Sequence, residues 1–279
     1  MEKKEIHNGW ELDIFFPLEE RIKEKPRQNG ITMIIDKGTG LRGTSDILEM
    51  CADYIDFWKF SFGSSALYRP ELLRRKIELI KSGNIKVFPG GTFLEIAFMQ
   101  GKIMPYLQRA RELGFSAVEI SDGTIDLPPR QRSRIIKAAL NYDLLVLTEI
   151  GKKESGSVFL PELMAEQLKR DLKDGAFKVI LEARESGKDV TIFNYQGDIE
   201  REKINKLLLF IPERENIIWE APLKKQQLEF ITMFGPNVNL GNISPEEVLA
   251  LESLRNGLRA DTFKHSLLCQ GKRSFGVLS

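Results

Sequence analysis

Residues 117–150 read AVEISDGTIDLPPRQRSRIIKAALNYDLLVLTEI, which is a β-rich run, an amphipathic helical run and a second β-rich run. Pro128 lies close to the start of the helical run, where a helix tolerates proline because its first N–H groups have no partner within the helix. Strands that alternate with helices in this way lie parallel in one sheet. The stretch therefore predicts one strand–helix–strand unit.

The same alternation continues in both directions, with eight β-rich and eight helical runs before residue 260. Eight such units close naturally into a (β/α)8 barrel, whereas a doubly wound sheet more often carries a GxGxxG turn after its first strand, which this sequence lacks. We predict an α/β protein with a single (β/α)8 TIM barrel at 30–261, an N-terminal extension at 1–29 and a short C-terminal tail at 262–279. The predicted strands begin at Ile31, Tyr54, Ile85, Ala117, Leu144, Lys178, Asn216 and Asn237.

The charge balance and the apolar segments exclude several classes of partner. The 279 residues include 41 Lys and Arg against 40 Asp and Glu, which gives a formal net charge of +1 and no basic excess for nucleic acid or anionic membranes. The longest run of large apolar residues, at 207–211, is far shorter than the roughly 20 residues that span a bilayer. The charged N-terminus is not followed by the apolar segment of a signal peptide. We predict a cytoplasmic protein with no nucleic acid and no membrane partner.

The scarcity of histidine and cysteine restricts the chemistry. His7 and His265 lie near the two ends of the chain, and Cys51 and Cys269 form no CxxC or Cys/His cluster. The middle of the chain therefore offers no imidazole for a Ser/His/Asp triad and no ligand set for zinc. Carboxylates, lysines, arginines and amides must perform any reaction.

Polar side chains follow every predicted strand, at the barrel end where the active sites of this architecture lie. A charged residue in an apolar strand is costly to bury unless it is paired or binds a ligand, so the set predicts a polar site, although single members can instead form ion pairs or cap helices. The set comprises Asp36, Lys37, Lys59, Glu95, Glu119, Asp122, Glu149, Lys152, Lys153, Glu182, Arg184, Glu185, Glu220, Lys224, Asn239 and Asn242.

Three glutamates in equivalent places on strands four to six, Glu119, Glu149 and Glu182, are expected to converge. Oxygen ligands without histidine or thiolate favour a hard cation such as Mg²⁺. Lys59 and Lys153 could donate protons or bind anions, and Arg184 could hold a phosphate, carboxylate or sulfonate. A lysine at a strand end could instead form a Schiff base with a carbonyl substrate, which keeps an aldolase or lyase as an alternative.

Nine strings at these strand ends together resemble the phosphosulfolactate synthase family of coenzyme M biosynthesis, over about residues 30–263. They are IIDKG, YIDFWKFSFGSS, VFPGGTFLE, AVEISDG, VLTEIGKK, EARESG, EAP followed by KKQQ, GPNVNLGNI and ALESLRNGLRADTF. The resemblance implies a Mg²⁺-dependent addition of sulfite to C3 of phosphoenolpyruvate, which gives (R)-2-phospho-3-sulfolactate. It also implies a (β/α)8 fold and a homo-oligomer.

In the reaction that the resemblance implies, sulfite attack pushes charge onto the substrate carboxylate as an aci-carboxylate, which a metal and cations must stabilise. Lys153, the second lysine of EIGKK, is expected to protonate C2, and Lys59 is the second catalytic candidate, since it could bind an anionic group. The Mg²⁺ ligands are expected to be Glu119, Glu149 and Glu182. The expected substrate-binding residues are Asp36, Lys37, Arg184, Glu220, Asn239 and Gly241.

Two segments depart from the family pattern: FSFGSS at 60–65 replaces the usual FGWGTS, and the loop after EARESG continues as KDVTIFNYQGD. Both changes lie beside the predicted site, so the sequence leaves open whether sulfite, another sulfur nucleophile or a different acceptor is used. The alternatives are a family variant that uses another nucleophile with phosphoenolpyruvate, a Schiff-base lyase or aldolase, and a non-catalytic barrel like the plant heat-stress-associated branch of the family.

Overall fold

The computed structural model describes residues 9–12, 14, 16–18, 20–151, 159–183 and 186–269. The predicted general acid Lys153 and the predicted anion ligand Arg184 both lie outside the described residues, as do Lys152 and Glu185. The carboxyl ends of all eight strands lie within the described residues.

All eight predicted strands are present and lie parallel in one sheet. They are β1 (Thr32–Asp36), β2 (Phe57–Phe60), β3 (Lys86–Pro89), β4 (Ala117–Ile120), β5 (Leu145–Ile150), β6 (Lys178–Leu181), β7 (Ile217–Glu220) and β8 (Leu240–Ile243). Their order in the sheet is β3-β2-β1-β8-β7-β6-β5-β4. The predicted TIM barrel is confirmed.

A serine brings together the two end strands, β3 and β4. The Ser116 backbone N–H donates to the Val87 carbonyl at 3.0 Å. The Val87 N–H in turn donates to Ser116 Oγ at 2.9 Å, so a side-chain oxygen accepts the bond that a backbone carbonyl would accept in a regular ladder. These two bonds bring the sheet to a nearly closed barrel.

The helices follow the predicted alternation with two differences. The described chain contains α1 (Leu41–Cys51), α2 (Pro70–Ser82), α3 (Gly91–Met99), α4 (Ile103–Leu113), α5 (Pro129–Asn141), α6 (Pro161–Asp174), α7 (Arg201–Leu208), α8 (Lys224–Phe234), α9 (Val248–Arg255) and α10 (Ala260–Cys269). Two helices rather than one connect β3 to β4, and residues 262–269 of the predicted tail are helical. None of these helices is long and apolar enough to cross a membrane.

Each helix that covers the barrel buries one apolar stripe. In α2, Leu73, Ile77 and Ile80 are spaced by three or four residues and are at most 5% exposed, which is the spacing of one helix face. The helix begins at Pro70 and is followed by Gly83. Its opposite face is polar, so the sequence pattern alone sets which side contacts the sheet.

The barrel interior is filled by an apolar layer that comes from seven of the eight strands. Its buried members are Ile31, Met33, Phe57, Phe88, Ala117, Leu147, Ile180 and Ile218. Side chains along a strand alternate between the two faces of the sheet. The next inward position toward the carboxyl end therefore lies two residues further on, and in five strands that position, or the residue just after the strand, carries a charge.

Candidate active site

A cavity of about 220 Å³ lies at the carboxyl ends of the strands, directly above the apolar layer. Its lining comprises Ile35, Lys59, Phe62, Gly91, Thr92, Glu119, Glu149, Glu182, Glu220 and Asn242. A larger cavity of about 520 Å³ lies among α2, α3 and α4, where residues such as Phe93, Leu113 and Phe115 line it. Only the smaller of these two brings several charged groups to one point, so we take it as the candidate site.

Lys59 lies at the centre of this cavity. Its Nζ is 2.8 Å from Glu119 Oε2, 3.3 Å from Glu220 Oε1 and 3.5 Å from Glu149 Oε2. Burial alone would lower the pKa of Lys59, but these three carboxylates hold it well above its ordinary value. The lysine is therefore a permanent cation that orients the surrounding glutamates.

Glu119 is held from two sides. Its Oε1 accepts a 2.8 Å hydrogen bond from the backbone N–H of Gly91, the first residue of α3, while its Oε2 contacts Lys59. A Cβ at position 91 would lie 2.6 Å from Glu119 Oε1. Glycine is therefore required there, because the helix N-terminus approaches the carboxylate so closely that a side chain would overlap it.

Glu220 has a strongly perturbed ionisation. Its Oε2 accepts a 2.9 Å bond from the backbone N–H of Ala183, and its Oε1 faces Lys59. Burial raises the pKa of Glu220 to about 7, with Lys59 opposing this rise and the negative charge of Glu149 adding to it. Such a pKa is typical of residues in functional clefts.

Three of the carboxylates form a group suited to a metal ion. Glu149, Glu182 and Glu220 are all buried, and each offers one oxygen within 4.8 Å of the other two. Among the described residues, four buried glutamates and one lysine line the cavity, an excess of negative charge that a divalent cation would offset. An all-oxygen donor set fits Mg²⁺. The predicted ligand Glu119 is not part of this group, since it contacts Lys59 and Gly91, and Glu220 takes its place.

The structure does not bring Asp36 to the cavity. The neighbouring Ile35 faces inward, so Asp36 points to the outer face of the sheet and is 1% exposed. Its Oδ2 accepts a bond from Trp58 Nε1 at 2.8 Å and pairs with Lys76 Nζ at 2.5 Å. Its Oδ1 accepts the N–H groups of residues 38 and 39. Asp36 therefore fixes the loop after β1, and Lys37 in that loop is exposed and outside the cavity lining.

Asn239 lies at the opposite end of the barrel. The predicted strand begins at Asn237, but β8 begins three residues later at Leu240, so Asn239 precedes the strand. Its Oδ1 accepts a 3.0 Å bond from the Ile31 N–H, and its Nδ2 donates to the carbonyls of Glu215 and Ile217. The amide joins neighbouring chain segments at this end and does not reach the candidate site.

Gly241 serves barrel packing. A Cβ at this position would lie 2.5 Å from Met33 Cε and 3.1 Å from Ile218 Cγ2. The glycine therefore leaves space for the apolar layer. Its neighbour Asn242 lines the cavity and has a φ of 54°, a left-handed conformation that asparagine adopts more readily than most residues.

Several lining residues, among them Thr92 and Phe62, are absent from the set that the sequence predicted. Thr92 lies in the first turn of α3, where nothing distinguishes it from an ordinary helical residue. Phe62 was noted only as a departure from a family motif, and its φ of 54° places the backbone in a left-handed turn at the mouth of the cavity. A sequence signal for Thr92 could have come only from its position directly after the glycine pair at 90–91.

The fold and site together define a (β/α)8 barrel of the kind that enzymes use, with a buried polar cluster at the carboxyl ends of its strands. The family model described as (2R)-phospho-3-sulfolactate synthase (ComA) matches residues 20–261. A protein from Methanothermobacter thermautotrophicus named phosphosulfolactate synthase is 43% identical over 240 residues, which cover 85% of this chain and 93% of that protein. The chain therefore belongs to the phosphosulfolactate synthase family, and the resemblance found in the sequence is confirmed.

Two further comparisons place the chain more broadly. Protein HEAT-STRESS-ASSOCIATED 32 of Arabidopsis thaliana is 24% identical over 259 residues, covering 83% of this chain and 87% of that protein. The solved structure of dihydrodipicolinate synthase from Bacteroides thetaiotaomicron has a TM-score of 0.52 at 12% identity, over 95% of this chain and 86% of that one. At that identity the likeness concerns the fold alone.

Proposed function

We propose that this protein is a phosphosulfolactate synthase that adds sulfite to C3 of phosphoenolpyruvate and gives (R)-2-phospho-3-sulfolactate. The observation that carries the proposal is the buried group of Glu149, Glu182 and Glu220 beside Lys59, in a chain of this family. In this reaction the C3–S bond forms, the C2=C3 double bond is lost and C2 takes up a proton. The enzyme is accordingly a carbon–sulfur lyase that acts in the synthetic direction.

The proposed cofactor is Mg²⁺, held by Glu149, Glu182 and Glu220. When bound, the ion supplies positive charge where the substrate carboxylate becomes more negative. The protein contributes the rest of the electrostatic environment. Lys59 keeps three glutamates in fixed positions around its ammonium group, and water is largely excluded because the whole cluster is buried.

The proton that C2 takes up comes, in this proposal, from Lys153, while Lys59 and Arg184 bind anionic groups of the substrates. The lysine pair at 152–153 follows Glu149 by three and four residues in the sequence. This proximity in the chain supports the general-acid role. A lysine near other cations has a lowered pKa, which suits proton donation near neutral pH.

The setting of the reaction is also part of the proposal. Phosphoenolpyruvate and sulfite are small anions, and we propose that the enzyme meets them in the cytoplasm as a homo-oligomer. The mostly buried cavity of about 220 Å³ is of a size for small substrates rather than for a polymer.

The test is an anaerobic incubation of the full chain with phosphoenolpyruvate, sulfite and Mg²⁺, followed by phosphorus and proton NMR. A new phosphorylated sulfonate that disappears when EDTA is added supports the proposal. Consumption of phosphoenolpyruvate with a thiol or another sulfur nucleophile, but not with sulfite, indicates the family variant that uses a different nucleophile. Covalent trapping of a carbonyl substrate by borohydride indicates the Schiff-base lyase, and failure to bind anions or Mg²⁺ indicates a non-catalytic barrel.

A further inference from the structure

We propose that Arg132 is a positioning residue of this active site, which holds the carboxyl end of β5 and thereby the Glu149 carboxylate in place. Arg132 lies on α5, on the outer side of the barrel, is not part of the cavity lining, and reaches the lining residue Glu149 only through its backbone carbonyl. The part of this proposal that concerns turnover rests on the proposed function. The part that concerns the position of β5 does not, because metal affinity and hydrogen exchange test it without turnover.

The guanidinium group of Arg132 joins four parts of the fold. It is 1% exposed. Its Nη2 donates to the backbone carbonyl of Glu149 at 2.9 Å, and its Nη1 donates to Asp122 Oδ1 at 3.2 Å in the loop after β4. Its Nε and Nη2 pair with both oxygens of Asp171 on α6, at 2.8 to 3.0 Å.

The partner Asp171 is itself fixed. It is 1% exposed, and Gln167 one turn earlier in α6 donates to its Oδ1 at 2.6 Å. The two-pronged pair with Asp171 sets the plane of the guanidinium group, which directs its remaining N–H groups at the Glu149 carbonyl and Asp122. A lysine ammonium could not make these contacts together, because it is a single point charge.

Stability alone does not account for this arrangement. A buried ion pair costs much of its attraction in desolvation, and an apolar replacement of similar size is often as stable. The carbonyl that Arg132 binds belongs to the residue whose side chain reaches Lys59 and the candidate metal group. The next carbonyl along β5, that of Ile150, accepts the N–H of Glu182 at 3.0 Å. One guanidinium therefore fixes the backbone beneath two of the three carboxylates.

The chain offers a matched control at the opposite end of the barrel. Arg27 is 3% exposed, and its Nε contacts both oxygens of Asp56 at 3.0 and 3.1 Å. It also donates to the backbone carbonyls of Lys23 and Asp53. The chemistry and burial match those of Arg132, but Asp56 precedes β2 and its Oδ2 accepts the N–H of Thr32, far from the carboxyl ends.

The experiment compares R132K with R27K in the full chain. We measure the affinity for Mn²⁺ as a metal probe, kcat and KM for phosphoenolpyruvate, and hydrogen exchange of the amides at 145–151. R132K should lower Mn²⁺ affinity and kcat by about 10- to 100-fold, as is usual when a group that orients a ligand is removed, with faster exchange at 145–151. R27K should lower the melting temperature but keep the other values within about twofold of wild type.

The proposal is overturned if R132K and R27K lose thermal stability to a similar degree and neither changes Mn²⁺ affinity, kcat or exchange at 145–151. If R132K does not fold, D122A removes the contact of Arg132 with Asp122 and leaves its contacts with Glu149 and Asp171, so it should produce a smaller change in the same direction; no change there also overturns the proposal. Should the wild type form no product, the proposed function fails, and the exchange of the β5 amides alone decides the role of Arg132.

Discussion

Lys59 Nζ lies 2.8 Å from Glu119 Oε2, and the same Glu119 carboxylate receives the first backbone N–H of α3 through its other oxygen. Glu119 on β4 thus joins Lys59 on β2 to the N-terminus of α3, above the apolar layer of the barrel. Glu149 and Glu220 also approach Lys59. Removal of the lysine would therefore leave buried carboxylates without a cation, and removal of the carboxylates would leave a buried ammonium group without an anion.

Replacement of Lys59 by methionine should therefore be costly. The variant leaves the carboxylates of Glu119, Glu149 and Glu220 facing each other in a buried cavity, so we expect the free energy of unfolding to fall by about 3–5 kcal/mol in metal-free buffer, with loss of turnover. Chemical denaturation measures the change. Lys86→Met, at an exposed position at the amino end of β3, is the control; equal stability of the two variants would contradict the arrangement.

Asp36 should act in stability rather than in binding. Burial by itself would raise its pKa, but the Lys76 ammonium holds the pKa below its ordinary value. Such a carboxylate adds stability that is present above the unfolded pKa, near 3.9, and is lost as pH falls through the folded pKa. D36N should lower the free energy of unfolding by about 3–5 kcal/mol at neutral pH, and the difference from wild type should shrink below about pH 4.

Denaturation at several pH values tests this prediction for Asp36. The control is D46N, which changes an exposed carboxylate on α1. A difference between D36N and wild type that stays constant from neutral pH to pH 3 would show that the ion pair with Lys76 does not account for the lowered pKa.

Gly91→Ala tests the close approach of α3 to the site. The added methyl group would lie 2.6 Å from Glu119 Oε1, so the carboxylate must move, and we expect a loss of about 1–3 kcal/mol in stability together with weaker metal binding. The control is Gly40→Ala, at the start of α1, where φ is −72° and a Cβ meets nothing within 4 Å. That change should be neutral or slightly stabilising. Calorimetry of both variants decides, and a Gly91 variant as stable as the Gly40 variant refutes the crowding.

The inward register of the cluster could be predicted from the sequence, whereas the partners of single residues could not. Lys59, Glu149 and Glu220 occupy strand positions two residues after apolar ones, which is the period of a strand, and the eightfold alternation fixes the end at which they meet. The prediction that Asp36 faces the site was wrong by one residue, because the side chain of Ile35 takes the inward position. Its partner Lys76 comes from a helix 40 residues later, a contact that local spacing does not encode.

An error in the predicted start of β8 explains why Asn239 was wrongly placed near the site. A start of β8 at Asn237 would carry Asn239 well into the strand, but the strand begins at Leu240, and the shift moves that amide to the opposite end of the barrel. The contacts of Arg132 are of the same long-range kind as those of Asp36. In the sequence it is one of three arginines in the run PPRQRSR, and nothing marks it out until α6 and β5 are in place.

The most direct test of the account compares E182Q with E252Q in the formation of phosphosulfolactate from phosphoenolpyruvate, sulfite and Mg²⁺. Both residues are buried glutamates, but Glu252 pairs with Arg21 away from the cavity, so its variant controls for the loss of a buried charge. The account predicts that wild type and folded E252Q form product and that E182Q loses at least about 100-fold in kcat. Turnover by E182Q equal to that of E252Q would contradict the claim that the carboxylate cluster at the mouth of the barrel is the catalytic centre.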